Sequence, residues 1–365
     1  MLNEIRSWVE IESQTADVDG VNVMMDTLSG LYRDMGAEVE RIQGRDGRGD
    51  HLSIRTPWKL QGKYILILSH LDTVHPRGTL ANDLPIRIDG DRAYGPGIYD
   101  MKSGAYLGYA AIRSLIQEGI ETDLGIRILY TGDEEVGSPT SRDMIVEAAK
   151  DAAYVLVTEP ARNGGKIVTA RKGVGRFQVT AQGRPAHSGS KHDEGRSAIK
   201  ELARHILDLE AMTDYERGVT INVGQIEGGT AENVVPQNAW MSVDLRVPTV
   251  SAGEEMVEKI LSLKAYDPDV ELKVTGGMNR PPFEPLPGTM KLYEHAKSIA
   301  KDAGWELKHT FTGGGSDGNF TAPYAPTLDG LGADGEGAHT LNEHIYISSL
   351  QPRFHLMRQL LLTLN

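Results

Sequence analysis

The chain predicts a mostly parallel α/β sheet flanked by helices, with a smaller α+β unit inserted into it. Three observations carry this. Apolar strand-like runs alternate with helical stretches from residue 64 to residue 159, which is how a parallel sheet is written in sequence. Between residues 172 and 281 the runs turn to polar–apolar alternation, in the order β-α-β-β-α-β of a ferredoxin-like unit. A length of 365 residues also favours two domains over one.

Composition narrows the function classes. Hydrophobic residues at 39% and charged residues at 24% describe an ordinary globular protein with material for a large core. The net charge of −13 repels nucleic acid and anionic membrane surfaces, and no Lys/Arg cluster argues back. Neither nucleic acid nor membrane is therefore expected as a partner. Cysteine is absent, which excludes disulfides and thiolate ligands, so any metal must be held by His, Asp and Glu. Met1 to Ile11 reads as an amphipathic helix without the apolar core of a signal peptide. No run reaches the length of a membrane span, and a cytoplasmic location is expected.

Helical periodicity covers residues 2–12 and 21–36, the second stopping near Gly36. Val39 to Ile42 and His51 to Arg55 read as strands around a glycine-rich loop. Tyr64-Ile65-Leu66-Ile67-Leu68 is a buried strand that runs into Ser69-His70-Leu71-Asp72-Thr73. His70 and Asp72 lie two apart, on one face of that strand's end. Residues 76–98 are loop-rich and lead to the stretch Ala93 to Gly104, after which a helix runs to about Glu118, with Asp100 just before it. Strand 124–130 leads into Thr131-Gly132-Asp133-Glu134-Glu135, helix 139–150 follows, and strand 153–157 ends at Thr158-Glu159-Pro160. In the insert, strands fall at 177–181, 220–227, 239–247 and 269–275, with helices at 196–212 and 251–264. A helix at 289–303, the loop Gly313-Gly314-Gly315-Ser316-Asp317, a strand near 327–331, a glycine-rich stretch with His339 and a helix at 347–364 complete the chain.

Taken singly, Asp100 reads as a helix N-cap and Glu134-Glu135 as a solvated acidic loop. Taken together, His70, Asp100, Glu134, Glu135 and Glu159 all fall where strands end. Open α/β sheets bind their ligands beyond the carboxyl ends of their strands, and the set points to a metal cluster there.

In this order the motifs resemble the di-zinc exopeptidases, a family that includes glutamate carboxypeptidases, acetylornithine deacetylase, succinyl-diaminopimelate desuccinylase and aminoacylase. The resemblance rests on Ser69-His70-Leu71-Asp72-Thr73, Tyr94-Gly95-Pro96-Gly97-Ile98-Tyr99-Asp100, Thr131-Gly132-Asp133-Glu134-Glu135, Thr158-Glu159-Pro160, Gly183-Arg184-Pro185-Ala186-His187-Ser188-Gly189 and Gly337-Ala338-His339. It spans almost the whole chain and looks most like the bacterial glutamate carboxypeptidase branch. Met101 departs from that branch, which often carries a second Asp there, whereas the deacylases often carry Met.

The resemblance implies two Zn²⁺, with Co²⁺ or Mn²⁺ as substitutes. His70, Asp100 and Glu159 would hold one ion, and Asp100, Glu135 and His339 the other, with room for a shared water. Glu134 would be general base and Asp72 the partner of His70. His187 would reach the active site of a partner subunit in a homodimer and stabilise the oxyanion. Arg246, Arg280, Asn233, Gly314 and Gly315 would meet the substrate, a small peptide or N-acyl amino acid with a free carboxylate. Residues 1–171 with 282–365 would form the catalytic domain, and 172–281 a lid that also dimerises, with hinges near 171 and 281. The remaining histidines are read as structural. Rival readings are a deacylase with the same metals, a non-catalytic binding member of the fold, and a calcium-binding protein, which His70 and His339 disfavour.

Overall fold

The computed structural model describes residues 1–59 and 61–365. They form two compact units, one of Met1–Ala170, Pro285–Thr312 and Ser316–Asn365, the other of Arg171–Glu284 with Gly313–Gly315. Among the described residues no helix is long and apolar enough to cross a membrane.

The first unit opens with α1 (Leu2–Val9), which buries Ile5, Trp8 and Val9 on one face, and α2 (Val18–Asp34), whose N-cap Asp17 accepts the Gly20 N–H. Strands β1 (Glu38–Ile42), β2 (His51–Arg55) and β3 (Tyr64–His70) follow, then a short helix α3 (Thr79–Asn82) and the three-residue strands β4 (Arg87–Asp89) and β5 (Arg92–Tyr94). An irregular turn, Ile98–Lys102, leads into α4 (Ser103–Glu118), which stops at Gly119 in the left-handed region with φ of 67°. Then come β6 (Gly125–Thr131), α5 (Arg142–Asp151), β7 (Ala152–Val157) and β8 (Ile167–Arg171).

The second unit contains β9 (Gly173–Gln182), α6 (Ala198–Glu210), β10 (Thr220–Gly228), β11 (Asn238–Val247), α7 (Val250–Leu261) and β12 (Glu271–Arg280). Its antiparallel sheet runs β10-β11-β9-β12. Phe177, Val179 and Ala181 face a core with Leu202 and Met256 of the two helices, while Arg176, Gln178 and Gln182, which alternate with them on the other face, are exposed and Thr180 is half-buried.

The chain returns to the first unit with α8 (Pro287–Asp302), β13 (His309–Thr312), α9 (Gly318–Thr321), β14 (Thr327–Leu328), β15 (Gly335–Glu336), β16 (His344–Tyr346) and α10 (Leu350–Thr363). The main sheet runs β1-β2-β6-β3-β7-β14. Its centre is parallel, β3 lying between β6 and β7. Ile65 and Ile67 of β3 enter one apolar cluster, and Leu66 and Leu68 enter another on the opposite face. A strand covered on both faces has no use for alternation, which is why β3 reads as an unbroken apolar run.

Three differences from the sequence reading have local causes. The stretch 76–98 contains α3, β4 and β5, and β5 is held by pairing with β16, some 250 residues away in register His344↔Tyr94. β8 and β13 pair with each other and lacked a visible period. β14 covers only Thr327–Leu328 of the expected 327–331.

Candidate metal centre

The parallel register brings the strand ends level. His70 pairs with Thr131, and Leu68 with Val157, so β3, β6 and β7 finish side by side. The residues just beyond those ends converge. In the first unit His70, Asp100 and Glu159 form one group able to hold a metal, and Asp100, Glu135 and His339 form a second. Asp100 belongs to both. Its Oδ1 is 3.3 Å from His70 Nε2 and its Oδ2 is 3.5 Å from His339 Nε2. Glu159 Oε1 lies 3.8 Å from His70 Nε2, and Glu135 Oε2 lies 3.1 Å from His339 Nε2. The His339 side chain is 53% exposed while the other four are nearly covered, so the cluster opens beside His339.

Asp72 serves this cluster in two ways. Its carbonyl oxygen is 2.9 Å from His70 Nδ1, which turns Nε2 toward Asp100 and Glu159. Its carboxylate is 3.6 Å from the same nitrogen. That carboxylate accepts the Thr15 hydroxyl at 2.7 Å and the backbone N–H groups of Glu134 and Glu135, both at 3.2 Å. The turn Glu134–Val136 is thereby fixed by a group with no exposed surface.

The electrostatics are those of a site built for positive charge. Burial pushes the Asp100 carboxyl up, but hydrogen bonds from His339 and His70 outweigh it and hold it far below the usual carboxylate range. Burial lowers the His70 pKa, yet Asp100, Asp72 and the charges of Glu134 and Glu159 raise it well above normal. Hydrogen bonds to Asp100 and Glu135 raise His339 to about 10. Burial raises Glu135. The donor set fits a pair of divalent ions on one further observation: Glu135 Oε1 is buried with no hydrogen-bond partner. A buried carboxylate oxygen left unpaired is costly, and a cation would satisfy it. Nitrogen and oxygen donors without sulfur suit Zn²⁺, Co²⁺ or Mn²⁺.

The remaining sequence-selected residues lie in the second unit. His187 sits in an exposed loop, its Nδ1 accepting the Gly189 and Ser190 N–H groups at 3.1 and 3.3 Å. The Asn233 carbonyl accepts the Ser188 N–H at 3.0 Å, which joins the His187 and Asn233 segments. Arg246 forks onto Asp244 at 2.7 and 3.0 Å. Arg280 is 4% exposed, and a Cβ at Gly315 would fall 2.9 Å from its Cδ. Arg171 Nη1 donates to the Gly314 and Gly315 carbonyls at 3.2 and 3.4 Å.

A model of peptidase family M20/M25/M40 matches residues 66–363. The chain belongs to that family. It is 31% identical to carboxypeptidase G2 of Pseudomonas sp. (strain RS-16), over 100% of this chain and 89% of that protein. It is 25% identical to succinyl-diaminopimelate desuccinylase of Delftia acidovorans, over 92% of each. Among solved structures, a Staphylococcus aureus tripeptidase aligns with TM-score 0.80 and 20% identity, covering 99% of this chain and 96% of that one. The aminopeptidase PepT of Bacillus cereus aligns with TM-score 0.75 and 25% identity, covering 99% and 96%.

Three residues that brace the metal cluster of this metallopeptidase escaped sequence reasoning in that role, as did Arg171 in the second unit. His51 Nδ1 accepts the Gly132 N–H at 3.1 Å, and its Nε2 lies 3.0 Å from Thr140 Oγ1, bracing the acidic turn. Glu343 and His75 lie 2.6 Å apart beneath the Asp100 segment. Arg171, 1% exposed, anchors the glycine loop. Nothing local in the sequence distinguishes any of the four from surface residues.

Proposed function

We propose that the chain hydrolyses the amide bond of small peptides or N-acyl amino acids that end in a free carboxylate, in the manner of a glutamate carboxypeptidase. The observation that carries this reading is Asp100, whose two oxygens face imidazoles of two different ligand groups. That is the disposition of a carboxylate shared between two ions. His70, Asp100 and Glu159 would hold one Zn²⁺, and Asp100, Glu135 and His339 the other. Bound there, such ions supply Lewis acidity to the scissile carbonyl and lower the pKa of an attacking water.

The chain's own residues do the rest. Glu134 takes the proton of the attacking water and returns it to the leaving nitrogen. Asp72 keeps Glu134 in place through its backbone N–H. His187 is assigned to the developing oxyanion of a neighbouring subunit in a homodimer, where a donor to that charge contributes strongly. The second unit would act as lid and dimerisation domain. Arg246, whose fork grips Asp244, and Arg280, which is buried, are the two carboxylate anchors. Asn233 and the backbone N–H groups of Gly314 and Gly315 complete the substrate contacts.

The likeness to carboxypeptidase G2 along the whole chain supports this branch. The likeness to succinyl-diaminopimelate desuccinylases supports a second reading, a deacylase with the same ligands and base. The test is amine release from N-acyl-Glu, N-acyl-Asp, N-acetylornithine, N-succinyl-diaminopimelate and dipeptides ending in Glu, with and without chelator. Chelator-sensitive release of a C-terminal amino acid is expected. Preference for N-acetylornithine or the succinyl substrate would move the chain to the deacylases, and no release from any of them would overturn the substrate class.

A further inference from the structure

Glu343 is 1% exposed, and the chemistry above does not use its carboxyl group. Its two oxygens receive four donors. Oε1 accepts the backbone N–H groups of Tyr99 and Asp100, both at 2.9 Å. Oε2 accepts the Gly97 N–H at 3.0 Å and the His75 Nε2–H at 2.6 Å. Three of the four come from one short segment, Gly97–Asp100, which opens the irregular turn that delivers Asp100. That turn is no regular helix: Asp100 sits at φ −114°, ψ 93°. The Ile98 and Lys102 N–H groups bond carbonyls of the same stretch, whereas those of Tyr99 and Asp100 are taken by this buried acceptor from elsewhere.

The placement of that acceptor follows from the topology. β16 pairs with β5 in register His344↔Tyr94, which lays the residue before β16 beside the residues after β5. Glu343 is also four residues beyond His339, on the same connection between β15 and β16. His75 is five residues beyond His70, on the segment leaving β3. The Glu343 side chain thus joins the three segments that carry His70, Asp100 and His339, without itself facing the ligand atoms.

We propose that Glu343 is the positioning residue that sets the Asp100 carboxylate between the two ligand groups, with His75 holding Glu343 in its working orientation. The inference rests on Asp100 being shared by two ions. Its physical content is that the bridge is aimed through the backbone. A carboxylate bonded to the N–H of residue 100 fixes that peptide plane, and the plane fixes where Oδ1 and Oδ2 point. Glutamine is the informative replacement. Its single oxygen can still take two N–H groups, but its amide nitrogen would meet the Gly97 N–H or His75, donor against donor.

The test uses the full chain loaded with Mn²⁺, titrated calorimetrically and examined by electron paramagnetic resonance. The wild type is expected to take up two ions whose spins are coupled through the shared carboxylate. In Glu343→Gln the second ion should bind about 10–100-fold more weakly, and signals of isolated Mn²⁺ should replace the coupled spectrum. His75→Phe removes one donor to Glu343 and should shift both readouts the same way, by less. Thermal melts confirm that each variant is folded, and if Glu343→Gln does not fold, His75→Phe decides alone. Folded variants that keep two tightly bound, coupled ions overturn the inference. A wild type that binds two ions without coupling, or only one, overturns the shared-carboxylate reading instead.

Discussion

The carboxylate of Asp72 accepts the backbone N–H of Glu134 at 3.2 Å. A residue at the end of β3 therefore sets the position of a residue beyond the end of β6. The same carboxylate holds Glu135 and Thr15 and is fully buried. Replacing Asp72 by Ala leaves those donors without an acceptor, at about 1–3 kcal/mol each where they stay buried. Asp72→Ala should lower the urea midpoint markedly and cut kcat by at least about tenfold. Asp72→Asn, which keeps one accepting oxygen, should fall between it and the wild type in both.

Glu134 is assigned proton transfer and no metal. Glu134→Gln should therefore bind two ions per chain, as measured by elemental analysis, while turnover falls by about 10²–10⁴-fold. Substantial remaining activity would remove Glu134 from the role. The variant also tests His187. Mixed with His187→Ala chains, it should regain activity if subunits exchange and His187 acts across the dimer. No recovery in mixtures demonstrated to contain hetero-dimers would place His187 outside the partner's chemistry.

Gly104, at the start of α4, sits against the loop that carries Glu159. A Cβ there would lie 1.9 Å from the Thr158 carbonyl oxygen and 3.2 Å from the Gly332 Cα. Both neighbours are backbone, so neither can give way as a side chain would. Gly104→Ala should cost about 1–3 kcal/mol in urea unfolding. Because relief must move Thr158, and Glu159 with it, the ion held by His70 and Glu159 should also bind more weakly. Gly30, where an added Cβ meets nothing, is the control: Gly30→Ala in the middle of α2 should be neutral to slightly stabilising.

The first helix carries a pH dependence of its own. Arg113, with help from the Tyr106 hydroxyl, holds the Glu4 carboxyl down to about 2 against partial burial, from an ordinary value of 4.5. A carboxyl lowered in the folded state stabilises it fully above its unfolded pKa, and the benefit fades as pH falls from about 4.5 through about 2. Glu4 is 45% exposed, so solvent screening keeps the effect within about 1 kcal/mol. Urea midpoints of the wild type and Glu4→Gln should differ at pH 7 and converge as pH falls below about 4.

The sequence made the strand-end residues legible because their position follows from local pattern. An apolar run that stops at His70, another that stops before Glu134, and a third that stops before Glu159 place three side chains at one edge of a parallel sheet. His339 was legible only through its glycine-rich motif, because it lies on a loop with no period to read. Its φ of 63° is left-handed, which a run of residues cannot announce for a histidine. His51, His75 and Glu343 were invisible as parts of the site, since each acts by bonding backbone that lies far away in the chain.

By itself the sequence determined the fold class and the family and singled out the candidate donors, because these depend on apolar period, residue type and order. Only the tertiary structure decided that Asp100 turns one oxygen to each imidazole, that Asp72 grips the acidic turn, and that Glu343 supports the Asp100 segment from beneath. The reason is physical. Hydrophobic periodicity is written residue by residue, whereas the partner of a buried polar group is whatever the folded chain brings within hydrogen-bonding reach.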